Sequence, residues 1–318
     1  MLLGTWNLEN LFRPGEGFGP ADTAAYQGKL AALATTIRTA GVDVLGVQEV
    51  GDPDALADLA GALDDEWTVV LSELFEPAHP IRVGVLSRLP VQPAADTADF
   101  PAGLLPVQVG DHGKTTRRMG RGALAVTLTP GGTPLTVVVC HLKSKLLSFP
   151  SPHGTTRFDT RDDDERARYA TYALHRRAAE AATVRALATR LLADEGRTRR
   201  LVVVGDLNDE PQAATTQILA GPPGSEIGTG GFDRPDHGDG QRLRNLAAKI
   251  PVERRYSRIY QGRKELIDHI LVSHALLHAV GQVDALVDRP LPSLGDNPAS
   301  RRDARDSDHA PILAHLTL

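Results

Sequence analysis

The feature that most constrains this chain is a series of short apolar runs, rich in Val, Ile and Leu, spaced from one end to the other. They fall near residues 2–8, 42–48, 67–71, 81–87, 122–128, 135–141, 200–205, 256–260, 266–272 and 310–317. Each has strand length and is bounded by turn residues or by a helical pattern. Between them, Leu30, Leu33, Ala34 and Ile37 keep the 3.6-residue period and stop at Gly41, which predicts a helix. Asp52-Pro53 reads as an N-cap followed by proline in the first turn, opening a helix to about Leu63. The longest helix is predicted to start in Asp162-Asp163-Asp164-Glu165 and to run to Gly196. Those four acids are read as a charged helix start rather than as a cation site. Many strands with helices between some of them predict a layered α/β or α+β fold. The segment from Ser144 to Arg161 is too long for a plain connector and is read as a functional loop. The Gly-, Pro- and Asp-rich stretch from Gly221 to Gly240 is read as a surface loop within a single domain spanning 1–318, because residues after it complete chemistry set up before it.

The apolar runs end in polar groups in a repeated way. The first ends Thr5-Trp6-Asn7-Leu8-Glu9-Asn10 and the second Gly46-Val47-Gln48-Glu49-Val50. Later runs end Val139-Cys140-His141-Leu142-Lys143-Ser144, Val203-Val204-Gly205-Asp206-Leu207-Asn208 and Leu266-Ile267-Asp268-His269-Ile270. The last is entered through Ser307-Asp308-His309-Ala310-Pro311. One carboxylate at a strand end is ordinarily a turn or cap residue. Repetition over six clusters points elsewhere, since buried carboxylates cost several kcal/mol unless paired or bound to a cation. Asn, Glu and Asp are hard oxygen ligands, suited to Mg²⁺, Mn²⁺ or Ca²⁺ rather than zinc. The single cysteine, Cys140, excludes a disulfide framework and a cysteine-rich zinc site, and its apolar run marks it as a buried, inert thiol.

The formal net charge of −5 argues against a dedicated tight DNA binder, which is usually basic. Local charge runs the other way. Arg242, Arg244, Lys249, Arg254, Arg255, Arg258, Arg263 and Lys264 cluster against one acid, Glu253, and a second knot spans Lys114 to Arg121. These are read as solvated loops or as a basic rim around an acidic centre. No run of about 18 apolar residues suggests a membrane span. The chain start lacks a basic, apolar leader pattern, so the expectations are a cytoplasmic location, no membrane partner and a monomer.

The ordered set Trp-Asn-Leu-Glu-Asn, Gln-Glu-Val, His-Leu-Lys-Ser, Gly-Asp-Leu-Asn, Ile-Asp-His and Ser-Asp-His resembles the motif set of the endonuclease/exonuclease/phosphatase superfamily, the deoxyribonuclease I-like proteins. The resemblance implies a four-layer sandwich: two face-to-face mixed β-sheets flanked by helices, with the site at one edge. It also implies roles. Glu49 resembles the metal-binding glutamate and Asn7 its metal-proximal asparagine. Asp308 resembles the last acid beside the metal, and Glu9 a second carboxylate found in some members. Glu9 lies two positions beyond Asn7, so both face one way if the strand continues. Asp206 resembles the aspartate at the nucleophile or a second metal, and Asn208 a phosphate hydrogen-bonding residue. His141 resembles the phosphate-binding histidine, and Asp268 with His309 the carboxylate–imidazole pair that activates water. Lys143, Lys145, Arg121 and His153 are candidate phosphate or substrate contacts. His269 alternates away from Asp268 and is read as packed, and His237 as a loop residue.

The chemistry expected of this set is metal-dependent hydrolysis of a phosphodiester, most readily in a nuclease for DNA or RNA with limited sequence preference. Mg²⁺ or Mn²⁺ is the expected cofactor, with Ca²⁺ as an alternative. A second reading is a phosphatase or phosphodiesterase on inositol phosphates, lipid head groups or other small phosphate esters. A third, a catalytically dead binding module, sits poorly with an intact polar set. All of these residues are expected to converge in one cleft.

Overall fold

The structure, a computed structural model, describes residues 1–64, 66–151, 156–221 and 240–318. The principal elements in chain order are β1 (Leu2–Leu11), α1 (Thr23–Ala40), β2 (Val44–Val50), α2 (Pro53–Gly61), β3 (Thr68–Leu71), β4 (Arg82–Ser87), β5 (Val91–Asp99), β6 (Arg118–Leu128) and β7 (Leu135–His141). They continue with α3 (Asp163–Leu192), β8 (Leu201–Asp206), α4 (Ala214–Ala220), β9 (Leu243–Asn245), β10 (Asp268–Ser273), β11 (Val280–Ala285) and β12 (Ile312–Leu316). Two six-stranded mixed sheets result, in the orders β11-β12-β1-β2-β4-β3 and β9-β10-β8-β7-β6-β5.

Strand alternation builds the layers. In the second sheet Val137, Val139, Val202 and Val204 turn inward and pack with Leu3, Val44 and Val85 of the first sheet. Their neighbours Val138, Cys140 and Val203 turn outward onto Val184, Leu187 and Ala188 of α3. On the other side Trp6, Leu45 and Val47 meet Leu30, Leu33, Leu56 and Leu59 of α1 and α2. The architecture is therefore helix, sheet, sheet, helix, as the resemblance implied. Cys140 lies fully inside, where burial pushes its thiol pKa up.

Helix ends follow local chemistry. Asp22 caps α1 by accepting from Ala25 N at 2.8 Å, and Gly41 ends it at φ 63°. Asp52 caps α2 through Asp54 N, and that helix stops at Gly61 rather than Leu63. Asp162 caps α3 through Asp164 N and Glu165 N. This helix ends at Leu192, four positions before Gly196, because Ala193 takes a left-handed conformation. The sequence reading missed β5, β9, β11 and α4. β5 is an edge strand, mostly exposed and interrupted by Pro93, so it lacks an apolar run. In the long loop after β7, Phe149–Pro150 pairs with Thr156–Arg157.

Candidate active site

Three neighbouring strand ends of the second sheet form one row. Asp206 is the register partner of His141 on β7 and of Asp268 on β10. The first sheet brings its own polar ends up to this row. Asn7, on β1, donates from Nδ2 to Glu49 Oε1 and to Asp206 Oδ2, both at 3.0 Å. One amide thus ties a carboxylate from each sheet. As oriented, Asn7 is a donor toward the acids, while its Oδ1 accepts from Glu9 N. His309 arrives just before β12 and sets its Nδ1 2.6 Å from Asp268 Oδ2. Its placement is fixed through Ser307, whose hydroxyl donates to Asn7 O at 2.6 Å and accepts from His309 N at 3.0 Å. Trp6 Nε1 holds His309 O at 2.8 Å.

Backbone strain gathers here. Of the eight non-glycine residues with positive φ among those described, Glu9, Asn10, Glu49 and Asn208 belong to these strand ends. Such conformations cost of order 1–3 kcal/mol and persist where the surroundings over-determine them. The strand does not continue regularly past Asn7. The pairing of β1 with β2 shifts register between Asn7 and Leu11, so the turn, not strand alternation, aims Glu9. Asn208 likewise leaves the strand, donating from its backbone to Asp206 Oδ1 at 2.8 Å and from Nδ2 to Leu142 O at 3.0 Å.

The electrostatics reflect crowding of like charges. Burial and the facing Asp268 push Asp206 up to about 7. Burial and the Asp308 carboxylate push Glu9 up to about 7. For His309, burial opposes the proton, but Asp268 and Asp308 override it and raise the imidazole to about 10. Burial lowers His141 well below its ordinary value, with the Arg121 and His309 charges adding, so this ring is neutral. Its Nε2 lies 3.5 Å from Asp206 Oδ2 and 4.0 Å from Glu49 Oε1.

These residues fit a hard divalent cation. Ligand atoms of Asp206, Asp268 and His309 all lie within 4.8 Å of one another. Among the described residues, Asp268 Oδ1 and His141 Nδ1 are buried without a hydrogen-bond partner. An unpartnered carboxylate oxygen among raised carboxyl pKa values is a site that positive charge would relieve.

The remaining candidates are placed differently. Arg121 lies against the charges of Glu180, Glu49 and Asp206 and makes no side-chain hydrogen bond to a described residue. Lys143 turns its Nζ to Ser144 O and Leu146 O, at 3.1 and 3.2 Å, and burial lowers it to about 7. Lys145 pairs with Asp209 at 3.1 Å. Asp308 donates its backbone N–H to Glu9 Oε2 at 2.9 Å, and its Oδ1 is 4.0 Å from His309 Nε2. His153 and His237 fall outside the described residues. His269 is packed, with Nε2 2.8 Å from Asp209 O. Half of the basic stretch after residue 240 is taken up by the fold's own contacts. Arg242 and Arg244 are buried, Arg254 pairs with Asp284 and Asp288, and Arg255 donates to Ala248 O and Ile250 O. Lys249, Arg263 and Lys264 remain exposed and Arg258 partly so.

Three supporting residues escaped the sequence reading. Glu180, from α3, accepts from Gly120 N and Lys143 N and so clamps the two strands beside Arg121 and His141. Arg301 holds both oxygens of Glu9. Lys29 is buried on the inner face of α1. A charged residue on the stripe formed by Tyr26, Leu30, Leu33 and Ile37 was the available signal for Lys29.

The profile of the Endonuclease/Exonuclease/phosphatase family matches residues 4–309. No curated protein sequence matches the chain. Solved structures with the same fold include a 3'-5' exonuclease from Neisseria meningitidis, at 19% identity and TM-score 0.55, with 100% of both chains covered. A mannosyl-6-phosphatase from Bacteroides thetaiotaomicron is 13% identical at TM-score 0.55, again with 100% of both chains covered. Truncated TDP2 from Caenorhabditis elegans is 15% identical at TM-score 0.55, covering 100% of this chain and 97% of its own.

Proposed function

The chain belongs to the endonuclease/exonuclease/phosphatase family, and from that premise we propose that it is a divalent-metal-dependent hydrolase cutting phosphodiester bonds in nucleic acid. The observation that carries this reading is the buried Asp268–His309 pair, at 2.6 Å, set beside the row His141, Asp206 and Asp268. It also makes 1–318 one catalytic domain, since both ends of the chain contribute to the pair's surroundings.

In this reading Glu49 and Asp206, joined through the Asn7 amide, would hold the cation together with Asp308, and the cation would neutralise charge on the phosphoryl oxygens. The chain's own groups do the rest. With Nδ1 committed to Asp268, His309 would present Nε2 to water as a general base once the charge of a bound cation has lowered its raised pKa, and the carboxylate stabilises the imidazolium that forms. His141, neutral at pH 7, offers a ring N–H to a phosphoryl oxygen. Asn208 adds its second amide N–H. Arg121, whose side chain makes no hydrogen bond to a described residue, supplies a cation to the anionic substrate.

A gel assay on plasmid and single-stranded DNA tests this directly. Cleavage is expected in Mg²⁺ or Mn²⁺, with none in EDTA and none from His309→Ala. Full activity in EDTA would overturn the reading. A second reading, a phosphatase for small phosphate esters, is favoured by one observation: half of the basic stretch after residue 240, namely Arg242, Arg244, Arg254 and Arg255, is buried or held by the fold's own contacts. The two separate on synthetic esters. A nuclease turns over bis(p-nitrophenyl) phosphate faster than p-nitrophenyl phosphate, and a monoester phosphatase reverses that order.

A further inference from the structure

We propose that Phe18 and His79 form a platform beside the catalytic cleft on which a nucleobase of the substrate stacks, so that the chain acts on single-stranded or unpaired nucleic acid in preference to intact duplex. This rests on the reading of the chain as a nuclease.

The two rings come from different loops of the first sheet. Phe18 lies between β1 and α1, and His79 between β3 and β4. Their centroids are 6.1 Å apart and their planes 18° from parallel, so the rings are stacked. Both are exposed, Phe18 by 46%. Neither loop is loose. Buried Phe12 meets Phe18 at 6.5 Å and 65°. Gly19 N donates to Glu16 O at 2.7 Å, and Gly19 O accepts from Arg302 Nε at 2.8 Å. His79 N donates to Glu76 O at 2.9 Å, and the Glu76 carboxylate pairs with Arg176 at 2.7 Å. Rings held in advance lose little freedom when a base arrives.

Contacts on two sides place the platform at the cleft. Gly51, two positions beyond Glu49, packs so closely on Phe12 that a Cβ there would lie 2.1 Å from its ring. On the other side Phe75 forms a β-bridge with Arg121, whose side chain lies in the fields of Glu49 and Asp206. His79 in turn lies in the fields of Arg121 and Lys143. A phosphate drawn to Arg121 therefore has the two rings alongside. In a duplex each base is covered by its neighbours, whereas an unpaired base has a free face. Every base has such a face, so the platform selects for unpaired nucleotides and not for sequence.

The test measures kcat/KM of the full chain in Mg²⁺ on three substrates. They are a single-stranded oligonucleotide, its duplex, and a strand of equal length built of abasic tetrahydrofuran units. The wild type is expected to prefer the strand with bases over both others. Base–aromatic stacking predicts that Phe18→Ala and His79→Ala each lower the ratio of base-bearing to abasic strand by about 5- to 150-fold, chiefly through KM. Phe18→Leu keeps apolar bulk over Phe12 without a ring and should lose the ratio too, while Phe18→Tyr should retain it. Melting in EDTA establishes that each variant is folded. An unchanged ratio in either alanine variant, or a wild type that prefers duplex, would overturn the proposal while leaving the nuclease reading intact. A wild type that cuts no strand but hydrolyses p-nitrophenyl phosphate would overturn both together.

Discussion

A 2.6 Å contact between a buried carboxylate and a buried imidazole makes Asp268 and His309 a unit. His309→Ala removes the base, and Asp268→Asn keeps the shape but loses the charge that orients the ring. Each should lower kcat by about 10²–10⁴-fold. The double variant should be little worse than the poorer single, and multiplicative losses would show that the two act separately. Acidity works on the pair in one direction for catalysis: kcat falls as pH drops through its titration, because only the neutral ring takes a proton. Stability runs the opposite way. The folded-state pKa is raised from 6.5 to about 10, so the ion pair's contribution is complete below pH 6.5 and is lost as pH rises through about 10. In EDTA the urea midpoints of wild type and Asp268→Asn should therefore converge between pH 7 and 10. A gap that widens with pH would contradict the raised pKa.

At the scale of elements, the strand ends carry the site because their backbones are forced into shapes that a regular strand would not take. Gly205, just before Asp206, has φ 149°, and a Cβ there would lie 1.8 Å from Cys140 O. No side chain adjusts that contact, because the obstacle is the backbone of the neighbouring strand. Gly205→Ala should therefore cost about 2 kcal/mol or more and displace Asp206 from its row. Thermal melting together with residual activity checks both. A variant as stable and active as wild type would mean that β7 and β8 can part without loss. Gly46 plays a different part in β2. A Cβ there would meet Val204 Cγ2 at 2.6 Å, so its bareness lets the two sheets approach where their polar ends meet. α3 supports the same row from outside through Glu180, which is fully buried and accepts backbone N–H groups from Gly120 and Lys143.

For the whole molecule, the site is a seam. Asn7 and Glu49 come from one sheet, and His141, Asp206 and Asp268 from the other. A cation bound there ties the sheets together and stabilises the folded state by mass action, about 2.7 kcal/mol at a hundredfold excess over Kd. The melting temperature should rise on adding Mg²⁺ to wild type and rise much less for Glu49→Gln. An equal rise in both would place the ion elsewhere. The sequence by itself determined nine of the twelve principal strands, two helix starts with their capping aspartates, and the polar strand ends from Asn7 to His309. Those signals are local: they depend on side-chain period, on N-cap chemistry and on polar residues interrupting apolar runs. Tertiary structure decided what no local pattern encodes. It put Arg301 on Glu9 across 292 positions of chain and set Lys29 beside Asp308. It buried Arg242 and Arg244 and set Arg254 and Arg255 on carboxylates and carbonyls, so half of a charge run read as solvated loops or as a rim is taken up by the fold itself. The physical reason is that an ion pair's partner is chosen by which strands and loops become neighbours. That choice is made by the packing of two sheets against each other, and it leaves no periodic trace in the order of residues.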